Sequence, residues 1–306
     1  MARIRRWAAV AAFLMASTAA NAACQLSLLG AITQQPITYN PFQAGATTAA
    51  VSFTVKNADS KPCNMAFAFF EPGAPQANSP GGGALTYRIL NASGVQLTQN
   101  ATASPGTLAP NGNASYVTVG ANQTYVANAI ISIGQGQVVG PGIYTDQLFL
   151  AVYQSPARGP YTKAIPDAPL NVAIGVNSQM TVTVAGGGLA TTLDFGNLVE
   201  GATRSVQLLA YSNQSFHLTV TSDNAGVMKL ADDKSEKGGL WRVPYTVSIF
   251  RAGQIDLAQK RTVSLWPTAT QRTGLAIPID VRIGSIAGLR AGLYRDVITI
   301  AIDPGP

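Results

Sequence analysis

Apolar residues recur at every second position through much of this chain. Val51-Ser52-Phe53-Thr54-Val55 and Met180-Thr181-Val182-Thr183-Val184 alternate strictly. Met65-Ala66-Phe67-Ala68-Phe69, Tyr116-Val117-Thr118-Val119, Leu148-Phe149-Leu150-Ala151-Val152, Phe216-His217-Leu218-Thr219-Val220 and Tyr245-Thr246-Val247-Ser248-Ile249-Phe250 alternate or run on in β-branched and aromatic residues. A period of two puts alternate side chains on opposite faces of a pleated strand, so each run predicts a strand with one buried face. Clusters of Gly, Pro, Asn, Asp or Ser bound the runs, the punctuation of short strands and turns. Thirty glycines and 18 prolines leave little room for long helices. The expected fold class is all-β.

One strand pattern occurs twice. Gly142-Ile143-Tyr144-Thr145-Asp146 leads into the apolar run Leu148 to Val152, and Gly292-Leu293-Tyr294-Arg295-Asp296 leads into Ile298 to Ile302. A spacing of 150 residues is too long for a solenoid repeat and suits two similar domains in tandem. The organisation read from this is a leader over residues 1–22, a first domain over 23–157, a Pro-rich linker and possible closing strand over 158–176, and a second domain over 177–306. Both domains are expected to be immunoglobulin-like β-sandwiches. Pro156, Pro160, Pro166 and Pro169 are incompatible with the interior of a central strand and mark the linker as semi-rigid. Leu170 to Val176 alternates again and fits either the last strand of the first domain or the first of the second.

Composition refines the picture. Arg3, Arg5 and Arg6, an apolar stretch from Trp7 to Met15, and Ala20-Asn21-Ala22 form a secretory signal with an A-x-A cleavage site. Without those three arginines, 17 Lys and Arg stand against 14 Asp and Glu, too small a balance to favour nucleic acid. Residues 23–157 hold Lys56, Lys61, Arg88, Asp59, Glu71 and Asp146 as their charged side chains, a nearly uncharged first domain. The two cysteines, Cys24 and Cys63, predict a single disulfide in an oxidising compartment, against the alternative of two buried thiols. With one histidine, His217, they cannot make a four-ligand zinc site.

Catalysis finds little to work with. No G-x-S-x-G elbow, H-E-x-x-H helix or phosphate-binding glycine loop is present. His217 sits in an alternating strand, and no spacing selects a pair from Asp194, Glu200, Asp223, Asp232 and Asp233 for hydrolysis. No enzyme activity and no cofactor are expected.

The duplicated motif is first of all structural: glycine for a sharp entry, and tyrosine packed inward with its hydroxyl on the backbone, as in a tyrosine corner. In the second domain the strand Val297 to Ile302 is followed only by Asp303-Pro304-Gly305-Pro306. That domain is therefore expected to lack its last strand and to leave a core groove and a strand edge for another chain to fill.

These residues resemble the spore coat protein U domain found in subunits of archaic, Csu-type, chaperone-usher pili. In the first copy the resemblance rests on Cys24, Cys63, Tyr87, Gly142, Tyr144 and Asp146. In the second it rests on Leu193-Asp194-Phe195-Gly196, Tyr245, Gly292, Tyr294 and Asp296, without the cysteines. The resemblance implies donor-strand complementation: a periplasmic chaperone lends the missing strand, and an adjacent subunit replaces it at the outer-membrane usher. The implied acceptor edge is Tyr294, Asp296, Val297, Ile298, Thr299, Ile300, Ala301 and Ile302. With Cys24 just inside the expected mature N-terminus and no free donor peptide before it, the resemblance implies a two-domain tip adhesin at the cell surface, active in attachment and biofilm formation. Its first domain would bind an abiotic or host surface through loops at residues 71–84, 104–114 and 134–140, with Leu108, Val138 and Val139 as apolar contacts. The alternative is a secreted coat-like protein never assembled through an usher.

Overall fold

The computed structural model of the chain describes residues 24–81, 83–101, 103–108, 113–155, 160–231, 241–266 and 268–305. The expected leader lies outside the described residues, as do residues 156–159, where the first domain is expected to pass into the linker, and Asp232 and Asp233. The described residues are all-β, without an α-helix, and build two immunoglobulin-like sandwiches in tandem.

In the first unit one sheet has the spatial order Leu26–Gln34, Thr47–Asn57, Thr124–Ile133, Arg88–Leu90. The second sheet runs Ser115–Val119, Cys63–Glu71, Gly142–Ser155, Ala168–Val176, with Ile37–Tyr39 parallel to the last. Alternation explains the packing. Val51, Phe53 and Val55 turn inward from the first sheet onto Met65, Phe67 and Phe69 of the second, and the Phe53 and Phe67 rings meet edge to face at 5.0 Å. Cys63–Glu71 is apolar at almost every position because both its faces are covered. Its outer face carries a smaller cluster of Ala66, Ala68, Phe70, Ala151 and Tyr153 under Leu108 and Tyr161.

In the second unit the larger sheet runs Met180–Val184, Thr203–Ser212, Leu275–Ile283, Arg242–Ile249, Val227–Leu230, Tyr294–Arg295. The smaller has three strands, Arg261–Trp266, Phe216–Ser222 and Ile298–Pro304. Leu208, Val247 and Ile277 face Leu218, Val220 and Val263 across this core, and Phe216 stacks on Trp266 at 5.1 Å.

Two local expectations change. The strand expected to reach Phe250 stops at Ile249, because the turn Phe250-Arg251-Ala252 puts Arg251 at φ 68°. Pro169 lies inside a strand, opposite Phe149. It is tolerated as the second residue of Ala168–Val176, ahead of that strand's parallel pairing with Ile37–Tyr39, which starts at Ile174. Residues 170–176 pair antiparallel with Gly142–Leu150, so they close the first sandwich.

Candidate functional site

The two copies of the duplicated segment share a register but differ in continuity and flanks: the first is one strand, Gly142–Ser155, and the second breaks after Arg295 into Tyr294–Arg295 and Ile298–Pro304. Phe149 faces Phe70 and Ala151 faces Ala68 in the first unit, as Thr299 faces Thr221 and Ala301 faces Thr219 in the second. This register fixes the correspondence residue by residue. The tyrosines behave identically: Tyr144 Oη donates to the Gly140 carbonyl at 2.9 Å and Tyr294 Oη to the Arg290 carbonyl at 2.8 Å, both four residues back. Gly142 and Gly292 enter with φ 150° and 155°, and a Cβ on Gly292 would run into Leu230 Cδ1.

The aspartates also match. Asp146 accepts the Tyr87 hydroxyl at 2.7 Å and the Gln76 and Gln147 amides. Asp296 accepts the Tyr245 hydroxyl, Ser222 Oγ at 2.6 Å, and the Asn224 and Val297 amides. Burial, then the bond to the carboxylate, pushes both phenols above their ordinary range. Apart from the resemblance, Tyr87 and Tyr245 read in the sequence as lone aromatics in apolar segments. That each seals a distant Asp is invisible there, since the contacts span 59 and 51 residues.

The difference lies on the far edge. In the first unit Ala168–Val176 covers it, inserting Leu170, Val172, Ile174 and Val176 into the core. Leu148, Leu150 and Val152 are consequently 0%, 1% and 0% exposed. The outer edge of the closing strand is covered as well over its last residues. Beyond its pairing with Ile37–Tyr39, the Gln34 carboxamide mimics a peptide unit, donating Nε2 to the Ala173 carbonyl at 2.9 Å and accepting its N–H. In the second unit Ile298–Pro304 pairs with Phe216–Ser222, and among the described residues no strand lies on its other edge. Ile298, Ile300 and Ile302, the counterparts of Leu148, Leu150 and Val152, are only half-buried. Across the opening lies Met180–Val184, whose Met180, Val182 and Val184 are likewise only partly buried. The result is a groove with apolar walls and a row of backbone N–H and C=O groups along one side. Tyr294, Asp296 and Val297 lie at its entrance, and Thr299 and Ala301 point out of it. His217, directly opposite Asp303, has Nε2 3.8 Å from that carboxylate.

The disulfide joins Cys24 to Cys63 across 39 residues, and the strand beginning at Leu26 comes directly after it. Leu26 to Leu29, and again Thr33 and Gln34 after a break in register, pair with Thr47–Asn57, so this strand belongs to the first sandwich.

The expected adhesive contacts do not assemble. Leu108 is 5% exposed and packed onto Phe70 and Tyr153, unavailable to an external surface. Val139 packs against the main core, Val138 is half-buried, and residues 109–112 of the second loop lie outside the described residues. Apolar exposure occurs instead on strand faces: Leu29 and Val126 stand on either side of Thr54 across the outer face of the first sheet. Alternation alone could not show which strand faces stay uncovered. A cavity of about 230 Å³ opens beside Glu71, lined by Pro75, Gln96, Thr98, Gln99 and Asn100. Among the described residues no three His, Cys, Asp or Glu side chains gather where they could hold a metal ion.

No protein-family model matches the sequence, and no curated protein matches it. Solved structures of similar fold include the CsuC–CsuE chaperone–tip adhesion subunit complex from archaic chaperone-usher Csu pili of Acinetobacter baumannii. The likeness has 13% identity over 89% of this chain and 91% of that one, with a TM-score of 0.45. The CupB6 tip adhesin of Pseudomonas aeruginosa is 10% identical over 91% and 92%, with a TM-score of 0.43. CfaE, the adhesive subunit of CFA/I fimbria of enterotoxigenic Escherichia coli, is 10% identical over 92% and 81%, with a TM-score of 0.32. At these scores and identities the likeness transfers neither residue roles nor binding partners.

Proposed function

We propose that this chain is the tip adhesin of an archaic chaperone-usher fimbria, exported through the periplasm to the cell surface. The observation that carries the reading is the contrast between matched strands: one strand pattern is closed on both sides in the first unit and open on one side in the second. A half-buried apolar row beside an unpaired backbone edge is an aggregation hazard unless a strand from another chain covers it. Strand addition supplies both what the edge lacks, ladder hydrogen bonds, and what the groove lacks, alternating apolar side chains.

The donors in this reading are a periplasmic chaperone and then an adjacent subunit at the outer-membrane usher. In this reading the described N-terminal strand is not passed on as a donor, because the disulfide and its pairing with Thr47–Asn57 hold it in the first sandwich. Such a subunit accepts a neighbour and ends a fibre. The first unit, complete in itself and almost without charge, is the part that meets an abiotic or host surface, in attachment that seeds biofilm.

The test uses the purified exported chain and a synthetic peptide with the sequence of residues 168–176, the strand that fills the corresponding groove in the first unit. Trp241 and Trp266 both lie in the second unit, so their fluorescence reports its unfolding selectively. The peptide should raise that midpoint and suppress aggregation, while a control with its four inward residues changed to Ser should do neither. Equal behaviour of the two peptides would refute the open groove.

A further inference from the structure

The duplicated aspartates sit in matched frames with one substitution of chemistry between them. Glu71 ends the strand Cys63–Glu71 and corresponds by register to Ser222 at the end of Phe216–Ser222. In the second unit Ser222 Oγ donates to Asp296, and that carboxylate is fully supplied with donors. In the first unit a second carboxyl stands where the hydroxyl should be. Glu71 is 8% exposed, and its Oε2 is buried without a hydrogen-bond donor.

We infer that Glu71 and Asp146 share one proton, giving the first unit a proton-dependent clasp that the second unit lacks. A buried carboxylate oxygen without a donor is costly, and two ionised carboxylates in contact are costlier still. A proton on Glu71 removes both penalties: its O–H donates to Asp146, which remains the acceptor of the Tyr87 hydroxyl and the Gln76 amide. The groups facing Glu71 from each packed element are few. Asp146 lies on Gly142–Ser155, the Gln76 amide on the segment after Glu71, and Tyr87 between two short strands. Strand Thr98–Asn100, parallel to the end of Cys63–Glu71, brings neutral side chains. Among the groups acting on Glu71 none is a Lys, Arg or His that would offset a second negative charge. Burial first, and Asp146 second, pushes the Glu71 carboxyl up to about 7.

The clasp has a mechanical consequence. Asp146 holds the 72–78 segment through the Gln76 amide and holds Tyr87, whose own N–H bonds the Pro75 carbonyl. Loss of the shared proton sets Glu71 against Asp146 at the root of that segment, which also borders the 230 Å³ cavity. The loop is held most firmly at acidic pH and loosens as pH rises through about 7.

The test monitors the full exported chain with carboxyl-labelled glutamate by NMR and with hydrogen exchange resolved to residues 72–78, between about pH 5 and about pH 8.5. Glu71 should titrate near 7. Protection of residues 72–78, taken as the ratio of wild type to Glu71→Gln at each pH to cancel intrinsic exchange, should fall at least about tenfold across the range. Glu71→Ser, copying the second unit, serves as a second reference should Gln not fold. Titration of Glu71 in the ordinary carboxyl range, or a protection ratio independent of pH, would overturn the inference.

Discussion

Truncating the same position of the duplicated strand in each unit should cost very different amounts. Leu150 and Ile300 occupy matched sites, the first 1% exposed under the closing strand, the second half-buried beside an open edge. Leu150→Ala removes a fully buried side chain and leaves a cavity that rigid neighbours cannot fill. Such changes cost roughly 2–5 kcal/mol, here about 3–4. Ile300→Ala loses only part of the transfer free energy of roughly 1.5–3 kcal/mol for complete burial, and an open groove encloses no cavity, so about 1–1.5 kcal/mol is expected. With a donor strand in place Ile300 acquires the environment of Leu150, and the cost should rise to about 3 kcal/mol. Denaturant titration read by tryptophan fluorescence tracks the second unit, and far-UV circular dichroism adds the first. If Ile300→Ala costs as much alone as with a donor, the groove is already closed and the reasoning fails.

Other consequences are equally direct. Replacing Cys24 and Cys63 by Ser removes a bridge across 39 residues, worth about 4 kcal/mol by chain entropy, and should lower the first unit's melting point while leaving the tryptophan-reported transition in place. Tyr87→Phe and Tyr245→Phe should each cost about 1–3 kcal/mol in their own unit, since each leaves a part-buried carboxylate one donor short. The Glu71 carboxyl, raised from 4.5 to about 7, stabilises the folded state fully below pH 4.5, and that contribution is lost as pH rises through about 7. The difference is about 3 kcal/mol at roughly 1.36 per pH unit, readable as a fall in the first unit's denaturation midpoint that Glu71→Gln abolishes. Gln34→Ala should cost about 1 kcal/mol and raise exchange at the Ala173 amide, whose far-edge partner it removes.

Strand positions were legible because burial and alternation are the same fact: the predicted runs lie in strands, short only of Phe250 and of Val297, which precedes the strand Ile298–Pro304, and the tandem motif pointed to the architecture. The closing strand of the first unit was legible too, since Leu170 to Val176 alternates after the first copy of the repeated strand. What joins the copies to their surroundings was not. The Tyr87–Asp146 and Tyr245–Asp296 bonds depend on chain crossings that no local pattern encodes. Leu108 looked like a loop contact because it stands among Gly, Pro and Asn, yet a second apolar layer on the outer face of Cys63–Glu71 buries it. The unbroken apolar run of that strand held the clue, since a strand with one wet face would have alternated. Glu71 carried no signal at all, its meaning set by a carboxylate 75 positions away in the chain.

The central claim is that the second unit lacks a strand the first possesses. Appending a further copy of residues 156–176 to the C-terminus gives the second unit the connection and closing strand of the first. The account predicts that the second unit gains at least about 3 kcal/mol, a rise of roughly 10 °C in the tryptophan-reported midpoint, and that aggregation ceases. A control in which the copied Leu170, Val172, Ile174 and Val176 are Ser should show neither effect. If the graft and its control melt together at the parent's midpoint, the second unit has no vacant strand position and the strand-acceptor account is wrong.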